Sequence, residues 1–341
     1  MKEFKGFPTI KDIAQEAKVS TTTVLRTIHN SGYVAEKTRQ RVLHAIEEQG
    51  YETNLIAQSL KKRRTHIIGH VLVSIFPNPF FAGVAHGVEC KTSEQGYEVI
   101  TCHTFSDVQK ERAAIKLLLS RRVDGIIISI PLKKENIYLV KEKGLPLVLV
   151  ERPVDVPSVD VIVVDNLIGA YEAMEHLISL NHKRIGFIGN KLGQQVENER
   201  FEGYRKALED HGLSFDEKLV KFSKGYPVEE GFRLADELWS TDKSATAVFA
   251  ACDLLAIGVI QALWKKGIRV PDDVSVVGYD DTLGMYTSPR LTTVAQPMEE
   301  MGQLAAQILI DRIESEEERA PKKIILKTKL IVRDSTRLKS D

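Results

Sequence analysis

The chain has 341 residues, 43% hydrophobic and 28% charged, which is more than one typical domain and ordinary for a soluble globular protein, so two or three compact units are expected. Its 47 basic and 47 acidic residues cancel, which argues against nucleic acid as a partner until the chain is divided: residues 1–65 hold 12 Lys+Arg against 7 Asp+Glu, and the remainder holds 35 against 40. Three scattered cysteines, Cys90, Cys102 and Cys252, exclude a disulfide framework or zinc knuckle, and no leader or run of eighteen apolar residues points to a membrane, so the cytoplasm is the expected compartment.

The first stretch with a clear pattern is TIKDIAQEAKVSTTTVLRTIHN, residues 9–30. Ile10, Ile13, Ala14 and Ala17 recur at the spacing of one buried helical face, with Thr9 placed as N-cap. A second helix opens at Ser20, where Val24 and Ile28 can face the first helix and leave Thr21, Thr22 and Arg26 on the opposite side. That is a helix-turn-helix pattern. Hydroxyls near a helix N-terminus with an arginine one turn on suit entry into the major groove, where Thr meets either base edge and Arg forks onto guanine.

A third amphipathic helix is predicted over 36–49, with Val42, Leu43 and Ile46 apolar and Gly50 just past its end. Then comes NLIAQSLKKRR, a short helical pattern running into four cations, Lys61 to Arg64. The order IKDIAQEAKVSTTTV, SGYVAEKTRQRVLHAIEEQGY and NLIAQSL resembles the DNA-binding headpiece and hinge of the lac repressor family over nearly all of the first sixty-odd residues. The resemblance implies DNA contacts from Thr9, Ser20, Thr21, Thr22, Thr23, Arg26, Asn30 and Tyr33 in a headpiece spanning 1–53. It implies further contacts from Asn54, Ala57, Gln58, Leu60, Lys61 and Lys62 in a hinge spanning 54–65, with Leu60 wedging between base pairs in the minor groove. Leu25 and Thr27 depart from the Ser and Val common in the family, so the operator is not transferable from a relative.

From His66 onward, short β-branched runs alternate with amphipathic helices, the pattern of parallel sheets covered by helices on both faces. Eight strands are predicted in IIGHVLVSI, YEVITC, GIIISI, PLVLV, VIVV, RIGFIG, AVFAA and VSVVGY, and helices over 81–95, 108–120, 167–180, 197–211, 229–239 and 254–265. So many strands fit two α/β lobes better than one sheet. Parallel sheets bind ligands beyond the carboxyl ends of their strands, which singles out Phe80, Phe81, Ser129, Glu151, Arg152, Cys252, Asp253, Asp280 and Asp281, with Arg200 and Tyr226 adding a cation and an aromatic plate. Carboxylates, a forked cation and aromatic faces suit a polyhydroxylated ligand. Asp281 reads as a helix N-cap rather than a ligand contact. His66 and His70 flank a strand start, where their spacing would not bring both to one metal.

The motifs NPFFAGV, RRVDGIIIS, LVER, HLISLNHKRIGFIG, RFEGYRKAL, CDLLAIGVI, GIRVPDDVSVVGYDD, LTTVAQP and LIVRDST resemble, in order, the effector domain of the same family, which is similar to periplasmic sugar-binding proteins of type I fold. The resemblance implies a two-lobed domain over 66–341, one lobe from roughly 66–164 and 296–325, the other from roughly 165–295 and 326–341, with crossings near Val164, Ala295 and Leu326. It makes Phe80, Ser129, Glu151, Arg200, Tyr226 and Asp280 effector contacts; Cys252 stands where many relatives have Asn, and Glu151 where Asp is common.

The expectation is a homodimeric, allosteric transcription regulator, read as a repressor, with no cofactor or metal, that binds a near-palindromic operator and a sugar-like effector. A purine-like corepressor or a phosphorylated partner protein is the alternative signal, and a solute-binding protein without a DNA role the alternative class. An enzyme is not expected, since GxxxxGK[ST], HExxH and GxSxG are missing and no GxGxxG opens a helix.

Overall fold

The computed structural model describes residues 8–51, 64–191, 195–225, 227–315, 317 and 319–339. The chain forms two compact units, Met1–Thr65 and His66–Asp341.

The first unit holds three helices, α1 (Ile10–Glu16), α2 (Thr21–Ile28) and α3 (Glu36–Gln49). Thr9 closes the start of α1 by donating both its backbone N–H (2.7 Å) and its hydroxyl (2.6 Å) to Asp12. Ser20 caps α2 by accepting from the N–H of Thr23 at 3.2 Å. Gly50 ends α3 at φ 58°, the left-handed turn that lets the Tyr51 N–H reach back to the Ile46 carbonyl. The core gathers Ile13, Ala14, Ala17, Val24, Val42, Ala45 and Tyr51. Leu43 is not part of it and is 44% exposed, because Val42 and Ala45 already fill the inward face of α3.

The second unit holds two six-stranded sheets. In the first, β1 (Ile67–Leu72), β2 (Glu98–His103), β3 (Gly125–Ser129), β4 (Leu147–Val150), β5 (Asp160–Val164) and β11 (Lys323–Leu326) lie in the order β11-β5-β4-β3-β1-β2, every pair parallel. In the second, β6 (Ile185–Asn190), β7 (Val220–Ser223), β8 (Ala247–Ala250), β9 (Ser275–Asp280), β10 (Thr292–Ala295) and β12 (Lys329–Ile331) lie in the order β12-β10-β9-β8-β6-β7, with only β12 antiparallel.

Helices cover both faces of each sheet, so the central strands are buried runs rather than alternating ones. On one face of the first sheet, α4 (Phe80–Glu94) packs against α11 (Met298–Glu314). The approach is close: a Cβ on Gly302 would sit 2.1 Å from the Val84 carbonyl oxygen, and one on Gly87 equally near that of Glu299. The opposite face carries α5 (Val108–Ser120) and α6 (Lys134–Lys141). The second sheet lies between α7 (Asn166–Ser179) with α8 (Gln195–Asp210) on one side and α9 (Val228–Thr241) with α10 (Asp253–Lys265) on the other.

The chain passes between the sheets three times, from β5 into α7, from β10 into α11, and from β11 to β12. Four strands, β7, β10, β11 and β12, are additional to the eight predicted. They read VKFS, TTVA, KIIL and KLI, short and mostly half-exposed, and none carries the continuous apolar run by which the buried strands are recognised.

Candidate functional site

Two places concentrate polar groups that the fold does not need. The first is the outer face of α2. Thr21, Thr22 and Arg26 are exposed there, while Val24 is fully buried and the Thr27 hydroxyl turns back to the Thr23 carbonyl at 3.0 Å. Thr23 is half-buried, its hydroxyl 2.9 Å from that of Ser20, so it supports the cap. Asn30 is exposed and takes φ 49°, and Tyr33 stands 89% exposed beyond it. Gly32 lies alongside the Arg26 side chain, so the turn after α2 leaves room for the guanidinium. Asn54, Ala57, Gln58, Leu60, Lys61 and Lys62 lie outside the described residues.

The second place is a cleft of about 520 Å³ at the carboxyl ends of the strands of both lobes. Its wall includes Ser74 after β1, Ile130 after β3, Glu151 and Arg152 after β4, Asn190 at the end of β6, Cys252 after β8 and Asp280 at the end of β9. Phe80 and Phe81, edge to face at the start of α4, give it an apolar side together with Phe76, Pro77 and Leu132. Three of these wall residues, Ile130 (φ 57°), Glu151 (φ 71°) and Asp280 (φ 109°), take left-handed backbone without being glycine. Strain of that kind costs on the order of 1–3 kcal/mol each and concentrates at ligand-holding positions.

Asp280 is 3% exposed and is reached from three directions. The Gln296 amide donates to Oδ1 at 2.7 Å, the Asn78 amide donates to Oδ2 at 3.3 Å, and Arg200 Nη1 lies 3.5 Å from Oδ1. Burial raises its pKa, opposed by Arg200, Gln296 and Asn78. Arg200 lies over the Tyr279 ring at 3.8 Å and donates to Asn166 Oδ1 (2.9 Å) and to the Ala251 carbonyl (2.7 Å). The guanidinium is thereby oriented before any ligand arrives.

Not every strand-end candidate faces the cleft. Ser129 is buried, hydrogen-bonded at 2.9 Å to His70 on the neighbouring strand, and does not line it. Asp253 points the other way, accepting from the Thr293 hydroxyl (2.6 Å) and from the N–H groups of Thr282 (2.8 Å) and Leu283 (3.4 Å), and it ties β10 and the loop after β9 to α10. Burial and the nearby Asp280 push its carboxyl up to about 7. Asp281 caps no helix but pairs with Arg333 at 2.7 Å. Cys252 does line the cleft, its sulfur accepting weakly from the Leu255 N–H at 3.5 Å, and burial drives its thiol far above the ordinary value. Tyr226 lies outside the described residues.

The cleft also contains Asn78, Glu197 and Lys224, which were not singled out from the sequence. Glu197 could have been found, since it stands three residues before Arg200 and shares its helical face. Its Oε1 lies 4.0 Å from Arg152 Nη2, an ion pair across the cleft from one lobe to the other. Among the described residues, no group of three or more His, Cys, Asp or Glu could hold a metal ion, and no helix is long and apolar enough to cross a membrane.

Comparison with known proteins agrees with this division. Residues 9–54 match the model described as bacterial regulatory proteins, lacI family, and residues 174–336 match the periplasmic binding protein-like domain. The chain is 36% identical to the HTH-type transcriptional regulator DegA of Bacillus subtilis (strain 168), over 96% of this chain and 98% of DegA. It is 36% identical to the HTH-type transcriptional repressor PurR of Aliivibrio fischeri (strain MJ11), over 91% and 93%. Among solved structures, a complex of the transcriptional regulator CelR with cellobiose superposes with TM-score 0.74 at 34% identity, covering 96% of this chain and 99% of CelR. The lac repressor dimer bound to operator and the anti-inducer ONPF gives TM-score 0.86 at 26% identity, covering 97% and 100%. The chain belongs to the lacI family of bacterial regulatory proteins: it is a DNA-binding transcription regulator whose helix-turn-helix headpiece precedes a ligand-binding effector domain.

Proposed function

We propose that this regulator is a homodimeric repressor of the cytoplasm, controlled allosterically by a sugar or sugar derivative bound between the two lobes. The observation that carries the effector reading is the buried Asp280–Arg200 pair in a cleft with an aromatic side. Such a pair offers fixed acceptors and donors to neighbouring hydroxyls, and Phe80 and Phe81 offer apolar area to the C–H side of a sugar ring. The cellobiose complex of CelR and a ribose-bound relative from Enterococcus faecium, 30% identical, favour the same chemistry.

A second copy of this chain is supported by an apolar surface on the second lobe. Trp264 (81% exposed), Met285 (59%) and Tyr286 (83%) stand out there, beside a groove lined by Ile257, Ile260 and Leu283. Apolar groups clustered in this way mark interaction surfaces. Two headpieces related by a two-fold axis would read the two halves of a near-palindromic operator, through Thr21, Thr22 and Arg26 on each α2. Closure of the lobes around the effector would then alter the spacing of the hinges.

The test is a thermal-shift screen of the purified protein against neutral sugars, sugar acids, sugar phosphates and purines, since a ligand at a hundredfold its dissociation constant stabilises the fold by about 2.7 kcal/mol. Coupling of ~1–3 kcal/mol is reciprocal, so operator DNA should change the affinity of any hit by the same factor that the hit changes operator affinity. Equal effector affinity with and without operator removes the allosteric part.

A further inference from the structure

Glu151 is 8% exposed in the cleft wall, and its Oε2 is buried and meets no hydrogen-bond partner among the described residues. The charged groups that face it are Arg152, the next residue; Glu197 and Arg200 from α8; and Asp280 at the end of β9. Both guanidiniums have acids of their own. Arg200 lies against Asp280, and Arg152 against Glu197. The charge of Arg152 also reaches Glu111, a fully buried acid behind the wall that accepts from the Leu132 N–H at 2.8 Å. Four buried carboxyl groups, Glu111, Glu151, Glu197 and Asp280, thus share two guanidiniums, while Lys224 at the cleft is exposed. Burial above all, with Asp280 and Glu197 adding to it, pushes the Glu151 carboxyl up to about 7, against Arg200 and Arg152.

We propose that Glu151 is a charge filter: its open oxygen takes a hydroxyl or ammonium donor from the effector, and the cleft turns away ligands that carry a carboxylate or phosphate. The inference rests on reading the cleft as the effector site. A donor supplies the partner that Oε2 lacks, whereas an anion adds negative charge to a wall already rich in acids at low dielectric. A donor favours the ionised carboxylate, so the effector releases a proton from Glu151 to solvent near neutral pH.

The experiment compares the full-length protein with Glu151→Gln in two ways. Without ligand, thermal midpoints are followed from about pH 5 to about pH 8. A carboxyl raised in the folded state loses stability as pH climbs from its ordinary value toward the folded one, and Gln has no such loss. The gap between the two curves should therefore widen with pH in favour of Gln. Parallel curves overturn the proposal.

With ligand, glucose, ribose and cellobiose are each compared with glucosamine, glucose 6-phosphate, ribose 5-phosphate and cellobionate. Wild type should bind a neutral or amino sugar at least about tenfold more tightly than its anionic counterpart, and Glu151→Gln should narrow that ratio about tenfold. An anionic member that binds wild type as tightly as its neutral counterpart, or a ratio unmoved by Glu151→Gln, overturns the filter alone. A panel that leaves wild type unmoved overturns it together with the effector reading.

Discussion

The side-chain amide of Asn78, in the loop between β1 and α4 of the first lobe, donates to the carboxylate of Asp280 at the end of β9 in the second, 3.3 Å away and 202 residues further along the chain. The same carboxylate accepts from Gln296, which lies where the chain leaves β10 for α11. Asp280 is therefore the acceptor at which a loop of one lobe, a helix of the other and the crossing segment meet. A ligand entering the cleft changes how these elements are held, so the bond links occupancy to lobe closure.

Asn78→Ala removes a donor to a buried carboxylate. A hydrogen bond to a charged group contributes about 1.5–3 kcal/mol, so effector affinity should fall roughly tenfold or more, measured by titration calorimetry with the ligand found in the screen. Unchanged affinity would show that the bond has no part in the closed state.

On the headpiece, Arg26→Ala should lower operator affinity by roughly 1–3 kcal/mol and relax preference at one base pair of each half-site. Selection from random DNA with both proteins reads this directly. A loss spread evenly over all sequences would instead place Arg26 on phosphate.

For the assembly, Trp264→Glu and Tyr286→Glu each put a charge on the exposed apolar surface, which should turn dimers into monomers by analytical ultracentrifugation and lower operator affinity by more than tenfold. Sedimentation identical to wild type would move the interface elsewhere.

The fourth prediction concerns acid. His70 is fully buried against Ser129, and burial, with His103 adding to it, pulls its pKa down to about 4. A histidine depressed in the folded state stays neutral there while the unfolded chain takes up a proton, so stability is intact above the ordinary value near 6.5 and is lost as pH falls from there toward 4. The full loss is roughly 3 kcal/mol. His70→Gln, which can keep a hydrogen bond to Ser129, should flatten the pH profile over that window in thermal denaturation. A profile unchanged by the substitution would assign the acid sensitivity to other groups.

Much of this protein is legible in one dimension because the relevant physics is local. The face of α2 follows from residues three and four apart: Val24 turns inward, Thr21, Thr22 and Arg26 turn outward, and Ser20 caps. The α/β pattern follows from buried strands such as Ile126, Ile127 and Ile128 in β3, whose continuous apolar run has no use outside a covered sheet. Strand ends also announce where a ligand can bind, which brought out Glu151, Arg200, Cys252 and Asp280.

Which way a strand-end side chain points was decided only in three dimensions. Ser129 ends a strand like its neighbours, yet the adjacent His70 draws its hydroxyl into the sheet. Asp253 follows Cys252, but the first turn of α10 carries it to Thr293 and Thr282, away from the cleft. The edge strands of β-poor composition, KIIL and KLI, exist because a strand already in place offers them a ladder of hydrogen bonds. Asn78, Gln296 and Arg200 converge on Asp280, and Arg152 meets Glu197, because two sheets set their carboxyl ends toward one cleft. Local periodicity carries no information about pairs so far apart along the chain. Their contact, and with it the shared burial that raises the carboxyl groups of Glu151 and Asp280, arises from packing.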